Sequence, residues 1–274
     1  MADVDWDLLR ARTQARIGLG RRGHALPTKE HLDFQEAHAR ARDAIWTPWD
    51  HQSLERAIRN AGTHALVVAS QVNERRAYLL NPNAGRSLAE RSARELEQWR
   101  SSRGPSPVVV LVSDGLSAHA MHAQGHTLTA SLVSALREHA AELGSLGPVV
   151  LAPFGRVALS DAVGAALGAS LVIHVIGERP GLSAVDSVAL YVTYAPRLGN
   201  TDAERNCISN IREPHGLTHA EGIRKALFLA QETKRLGYGG YRVKDGSGEA
   251  VLAAAEVPGA LPPPSQQVRS RESR

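Results

Sequence analysis

Leu171-Val172-Ile173-His174-Val175-Ile176-Gly177-Glu178-Arg179-Pro180-Gly181 decides the fold of this chain. Leu171–Ile176 is an apolar run of the kind that makes a strand buried on both faces. Gly177, Pro180 and Gly181 end it and leave Glu178 in a loop at its carboxyl end. Ligands of open α/β sheets bind at that edge. Working outward, Val108–Val112, Val149–Leu151 and Val188–Val192 read as further strands. Leu128, Leu132, Leu136 and Leu143 recur on a helix that stops at Gly144, and Asp161–Leu167 is a short helix stopped at Gly168. Strands alternating with helices predict an α/β fold with a parallel sheet and right-handed crossovers. Thr218-His219-Ala220-Glu221 is a capping box that opens a last helix, with Gly237 as its stop.

Upstream, residues 1–104 read as a mainly helical region. Phe34, Ala37, Ala41 and Ile45 recur at helical spacing within Leu32–Trp46, and Glu36 and Arg40 can pair across a turn. Ser87-Leu88-Ala89-Glu90 has the capping-box pattern. A short strand fits Ala65–Ala69. Tyr78-Leu79-Leu80 suggests another, cut short by Asn81-Pro82-Asn83. Ser101–Pro107 reads as a linker, so the α/β region is expected over 105–256. Residues 257–274, rich in Pro, Ser and Arg, are expected to be disordered.

The 274 residues suffice for one sizeable core and a smaller appended region. No stretch approaches a membrane span, and the acidic start, Asp3-Val4-Asp5-Trp6-Asp7, does not read as a secretory signal. A single cysteine fits a reducing compartment. The net charge is +4 and the pI about 9.5, yet basic and acidic residues are interleaved as on solvated helix faces. No nucleic-acid-binding motif accompanies the charge. Neither nucleic acid nor membrane is an expected partner.

Gly18-Leu19-Gly20-Arg21-Arg22-Gly23 matches G-x-G-x-x-G, but that pattern binds a dinucleotide only between a strand and a helix. Here it reads as a turn. The strand-to-helix turn, Asp114-Gly115-Leu116-Ser117, lacks the glycines a pyrophosphate needs. Asp114, Ser117 and His119 invite a hydrolase reading without a G-x-S-x-G elbow, and a helix cap explains Ser117 better. His119, His122 and His126 have metal-like spacings, but nothing acidic follows closely, and no metal is assigned. His122-Ala123-Gln124-Gly125 matches only half of a D-x-H-x-x-G motif, with Ala120 in place of the Asp that would orient the imidazole. Cys207 reads as a packed apolar residue rather than a nucleophile. Asp114, Val157 and Glu178 fall at strand ends along one edge and predict one ligand site.

Gly177–Ser187, Arg205-Asn206-Cys207-Ile208-Ser209-Asn210-Ile211-Arg212 and Asp114–Ala118 together resemble the small subunit of ethanolamine ammonia-lyase, from about Arg16 to Gly240. The resemblance implies a doubly wound, Rossmann-like domain beside the helical region. It implies adenosylcobalamin as cofactor, contacted by Val157, Glu178 and Cys207, and a large-subunit partner that holds the catalytic residues. No catalytic residue is expected on this chain. The implied reaction is radical conversion of ethanolamine to acetaldehyde and ammonia. The implied location is cytoplasmic, with packaging inside a bacterial microcompartment, and contact with its shell, left open. A stand-alone nucleotide-binding α/β enzyme and a scaffold without a ligand site are the alternatives.

Overall fold

The computed structural model describes residues 5–21 and 23–248. The tail expected over 257–274 lies outside them. The chain begins with α1 (Trp6–Arg10), α2 (Thr28–Trp46), α3 (His51–Asn60), β1 (Ala65–Val67), α4 (Arg75–Leu80) and α5 (Glu90–Arg103). Then follow β2 (Val108–Ser113), α6 (Ala118–Ala120), a π-helical turn (Met121–Gly125), α7 (His126–Glu138), α8 (Ala140–Leu143), β3 (Leu146–Leu151) and α9 (Leu159–Leu167). β4 (Leu171–Gly177), β5 (Val188–Tyr194), β6 (Arg205–Ile211) and α10 (His219–Leu236) complete it. No helix among the described residues is long and apolar enough to cross a membrane.

The strands form one six-stranded sheet in the order β1-β3-β2-β4-β5-β6. β1, β3, β2 and β4 run parallel, as expected. β5 lies antiparallel to β4, and β6 antiparallel to β5. The all-parallel expectation is therefore corrected to a mixed sheet. The connection 178–187 explains it, because a parallel return needs a dozen or more residues. β6 escaped the sequence reading altogether. It is an edge strand whose only buried apolar side chains are Ile208 and Ile211, so it lacks an apolar run.

The pleat sends alternate side chains to opposite faces of the sheet. Val110, Val112, Ile173, Val175, Leu190 and Val192 join Leu132 of α7 and Ala226 of α10 in one core. Val109, Leu111, Val150 and Val172 join Leu96 of α5 and Leu159, Val163 and Leu167 of α9 in a second. Helices thus cover both faces of the central strands, and β2 to β4 are predominantly apolar rather than alternating for that reason.

The expected stops hold. Gly168 and Gly237 are left-handed caps, at φ 65° and 75°, and the Thr218–Glu221 capping box is formed at α10. Two local readings change. Tyr78-Leu79-Leu80 is helical, not extended, and Tyr78 is fully buried beside the α9 loop. The α5 cap is Ala89 without a side-chain bond, because Ser87 is spent on the preceding turn and an isolated bridge pairs Leu88 with Ser70. α2 keeps only Ala41 and Ala44 buried, and Leu32, Phe34 and Trp46 stay exposed. Glu36 and Arg40 pair on it as expected.

Candidate functional site

Strand order locates the crevice. β2 connects toward β3 on one side and β4 toward β5 on the other, so the carboxyl ends of these adjacent strands diverge. Two glycine-bearing turns meet there. Gly115 stands at φ 54°, and any Cβ on it would strike the Gly177 carbonyl. That carbonyl accepts from the Leu116 amide at 3.1 Å. A cleft of about 170 Å³ opens above the junction, lined by Tyr78, Gly115, Leu116, Arg156, Val157, Glu178, Arg179 and Tyr191 among others. Val157 and Glu178 are thus brought together as expected.

Asp114 is not part of the lining. It is 1% exposed and pairs with Arg75, while its Oδ1 accepts from the Phe154 amide at 2.7 Å. Arg75 also donates to the Gly115 carbonyl at 2.7 Å. The carboxylate therefore locks three segments under the cleft and presents nothing to a ligand. Its place at a strand end suggested a contact, and its burial overturns that.

The loop bearing Val157 is held from several directions. Phe154 adopts a left-handed conformation at φ 57°, a strained choice for an aromatic residue. Its amide is fixed by Asp114, and its carbonyl accepts from Ser70 at 3.2 Å. The Tyr78 hydroxyl donates to the Gly155 carbonyl at 3.2 Å, and the Arg156 amide to the Gly85 carbonyl at 2.8 Å. Segments of the first hundred residues thus frame the site, a role that their helical pattern did not indicate.

Glu178 is fastened to the sheet edge. Its carboxylate accepts from the Ser209 hydroxyl at 2.6 Å and the Asn210 amide at 2.9 Å. Asn210 stands at φ 60°, and the β5–β6 register shifts beside it, as at a β-bulge that turns a backbone N–H out of the ladder. Cys207 pairs with Tyr191 across β5–β6. It is exposed, which corrects its reading as a buried packing residue. Although the residue is exposed, partial desolvation of its sulfur raises the thiol, the hydrogen bond with Tyr191 lowers it, and the Glu178 charge raises it further. Burial likewise raises the Tyr191 phenol, as does its interaction with Cys207. Cys207 sits outside the cleft, and Tyr191, a cleft residue, joins the two.

Below the cleft His174 is fully buried, its Nε2 2.9 Å from the Ser113 hydroxyl. Burial lowers its pKa to about 3, so it is neutral. Ser117 caps α6, accepting from the Ala120 amide at 3.0 Å and donating to the Val185 carbonyl at 2.9 Å. His119 is exposed on the next turn, so no Ser–His relay forms. His122 and His126 are not merely solvated. Their Nε2 atoms accept from the Asp50 amide at 3.0 Å and the Trp49 indole at 3.2 Å, pinning the α2–α3 connection to the π-turn. Gly18 and Gly20 have left-handed φ between α1 and α2, with no strand beside them among the described residues.

Residues 3–244 match the ethanolamine ammonia-lyase light chain family. The chain belongs to that family. Among curated relatives, the ethanolamine ammonia-lyase small subunit of Pseudomonas fluorescens is 46% identical over 88% of this chain and 86% of its own length. The same-named protein of Azotobacter vinelandii is 44% identical over 94% of this chain and 93% of its own. That of Ralstonia nicotianae is 44% identical over 92% and 90%. The described elements from α1 to α10 fall within the span matched by the ethanolamine ammonia-lyase light chain family, the cleft included.

Proposed function

We propose that this chain is the small subunit of an adenosylcobalamin-dependent ethanolamine ammonia-lyase and closes over the cofactor against a large catalytic subunit. The observation that carries the reading is the strip made by Val157, Glu178 and Tyr191 at the cleft and by Cys207 opposite Tyr191 on the β5–β6 pair. A corrin ring is broad, partly apolar and fringed with amides. Val157, the Tyr191 ring and Cys207 suit its hydrocarbon. Glu178 is acceptor-only when ionised, and its Ser209 and Asn210 bonds leave lone pairs for an amide or hydroxyl donor. On this reading the four parallel strands with helices on both faces form the doubly wound, Rossmann-like part of the subunit. Residues 105–256 form the cofactor-contacting unit, and 1–104 combine partner docking with support of the cleft.

The cofactor supplies the radical chemistry that converts ethanolamine to acetaldehyde and ammonia. This chain's residues hold and orient it and exclude water from one side. The Asp114–Arg75 pair, the neutral His174 and the strained Phe154 fix the loops that touch it. No residue of this chain acts on substrate, and its histidines stay off the cobalt. The assembly belongs in the cytoplasm.

The test is reconstitution. Purified chain is mixed with an ethanolamine ammonia-lyase large subunit and adenosylcobalamin, then gel-filtered. Co-elution of both chains with the corrinoid absorbance, and ammonia release only from the mixture, is the expected outcome. Ammonia release by this chain alone, or a corrinoid-retaining assembly that forms equally well without it, refutes the proposal. Glu178→Ala should reduce retained cobalamin by a factor of about ten to a hundred, the equivalent of one charged hydrogen bond.

A further inference from the structure

The cleft beside Glu178 differs chemically from the strip around it. Two guanidiniums stand over the Tyr78 ring, Arg156 at 4.1 Å and Arg75 at 5.1 Å from its centre. Arg75 is neutralised by Asp114. Arg156 is not. It donates from Nη2 to the Tyr78 carbonyl at 3.0 Å, and among the described residues no carboxylate lies within 4.0 Å of it. Its Nε is buried without a hydrogen-bond partner. Arg179 lines the same cleft, exposed and likewise without a carboxylate partner among the described residues. The single carboxylate in the lining is Glu178, already engaged by Ser209 and Asn210. The backbone cannot substitute for these cations, because the Leu116 amide is spent on the Gly177 carbonyl.

The volume of about 170 Å³ is room for five or six waters, far too small for a corrin ring but enough for a phosphoryl group and part of a sugar. Two free guanidiniums beside one acceptor match a sugar phosphate, with the phosphoryl on Arg and a hydroxyl on Glu178. We infer that this cleft is a subsite for the phosphodiester and ribose of the cofactor's nucleotide tail, with Arg156 as the principal phosphate ligand and Arg179 at its mouth. The inference rests on the cobalamin reading and divides the labour within it. The outward side of the strip, with Cys207, takes the ring, and the cleft that Val157, Glu178 and Tyr191 also line takes the tail.

Cobinamide separates the two, since it keeps the corrin ring and lacks the phosphodiester, ribose and base. Dissociation constants of adenosylcobalamin and adenosylcobinamide are measured by absorbance on the assembled two-subunit protein. Arg156→Gln should weaken cobalamin about ten- to a hundred-fold and cobinamide less than about two-fold. Arg179→Gln should give a smaller loss with the same selectivity. If Arg156→Gln fails to assemble, Arg156→Lys keeps the charge without the planar fork and should still lose cobalamin selectively. Equal loss for both corrinoids, or loss for neither, overturns the inference while leaving the cobalamin reading intact. Wild-type protein that binds neither overturns both. Excess AMP should not displace cobalamin, and displacement that depends on Arg156 would assign the cleft to free nucleotides instead.

Discussion

Asp114→Ala tests whether the buried carboxylate holds the site together rather than contacting a ligand. Asp114 is 1% and Arg75 10% exposed at the side chain. Truncation leaves the guanidinium without its counter-charge in a desolvated position and deprives the Phe154 amide of its acceptor. Breaking a buried pair from one side costs about 3–5 kcal/mol. For a domain of this size each kcal/mol lowers Tm by about 2–4 °C, so the fall should lie between about 6 and 20 °C. The assay is thermal and urea unfolding of the isolated chain followed by circular dichroism. Arg75→Met alone should cost a comparable amount, since it orphans Asp114. The double variant Asp114→Leu with Arg75→Met should lose less than the sum of the two single losses, because two residues in contact couple and neither is left charged. A loss below about 1 kcal/mol for Asp114→Ala, or strict additivity in the double variant, would refute the structural role.

Stability should fall as pH drops below about 6.5, because His174 keeps a folded pKa of about 3 against 6.5 in the unfolded chain. The unfolded state then binds the extra proton, at about 1.4 kcal/mol per pH unit for that single group, and a slope unchanged in His174→Leu would assign the effect elsewhere. Gly115→Ala should destabilise the chain and close the cleft, since its φ is 54° and a Cβ would meet the Gly177 carbonyl, and a normal Tm in unfolding scans would contradict that geometry. Cys207→Ser should leave turnover of the assembled enzyme within a few-fold of wild type, because the thiol is raised and serves as surface rather than as a nucleophile; a folded but inactive variant would reverse that assignment. Deleting residues 1–60 should impair assembly, since it removes α2 with its exposed Leu32, Phe34 and Trp46, and normal co-elution with the large subunit would exclude docking through this helix.

By itself the sequence determined the local elements and the edge where the site forms. Apolar runs at Val108–Val112 and Leu171–Ile176 read as central strands because their short length, β-branched content and flanking Gly and Pro fit a strand buried on both faces. Gly168, Gly237 and the Thr218–Glu221 box end and begin helices through interactions within a few residues. Val157 and Glu178 were legible as neighbours because strand ends along one parallel edge must converge. Strand direction was not legible in the residue pattern of Val188–Tyr194, which is the same whether it runs parallel or antiparallel; the signal lay in the connection 178–187, too short for a parallel crossover. Cys207 was placed by a strand with no apolar run to announce it. The partners of Asp114, Glu178 and His126 lie from 31 to 77 residues away, and pairing at that range depends on how the layers stack. Local spacing encodes propensity and periodicity, whereas burial and charge pairing across the cleft are properties of the assembled fold.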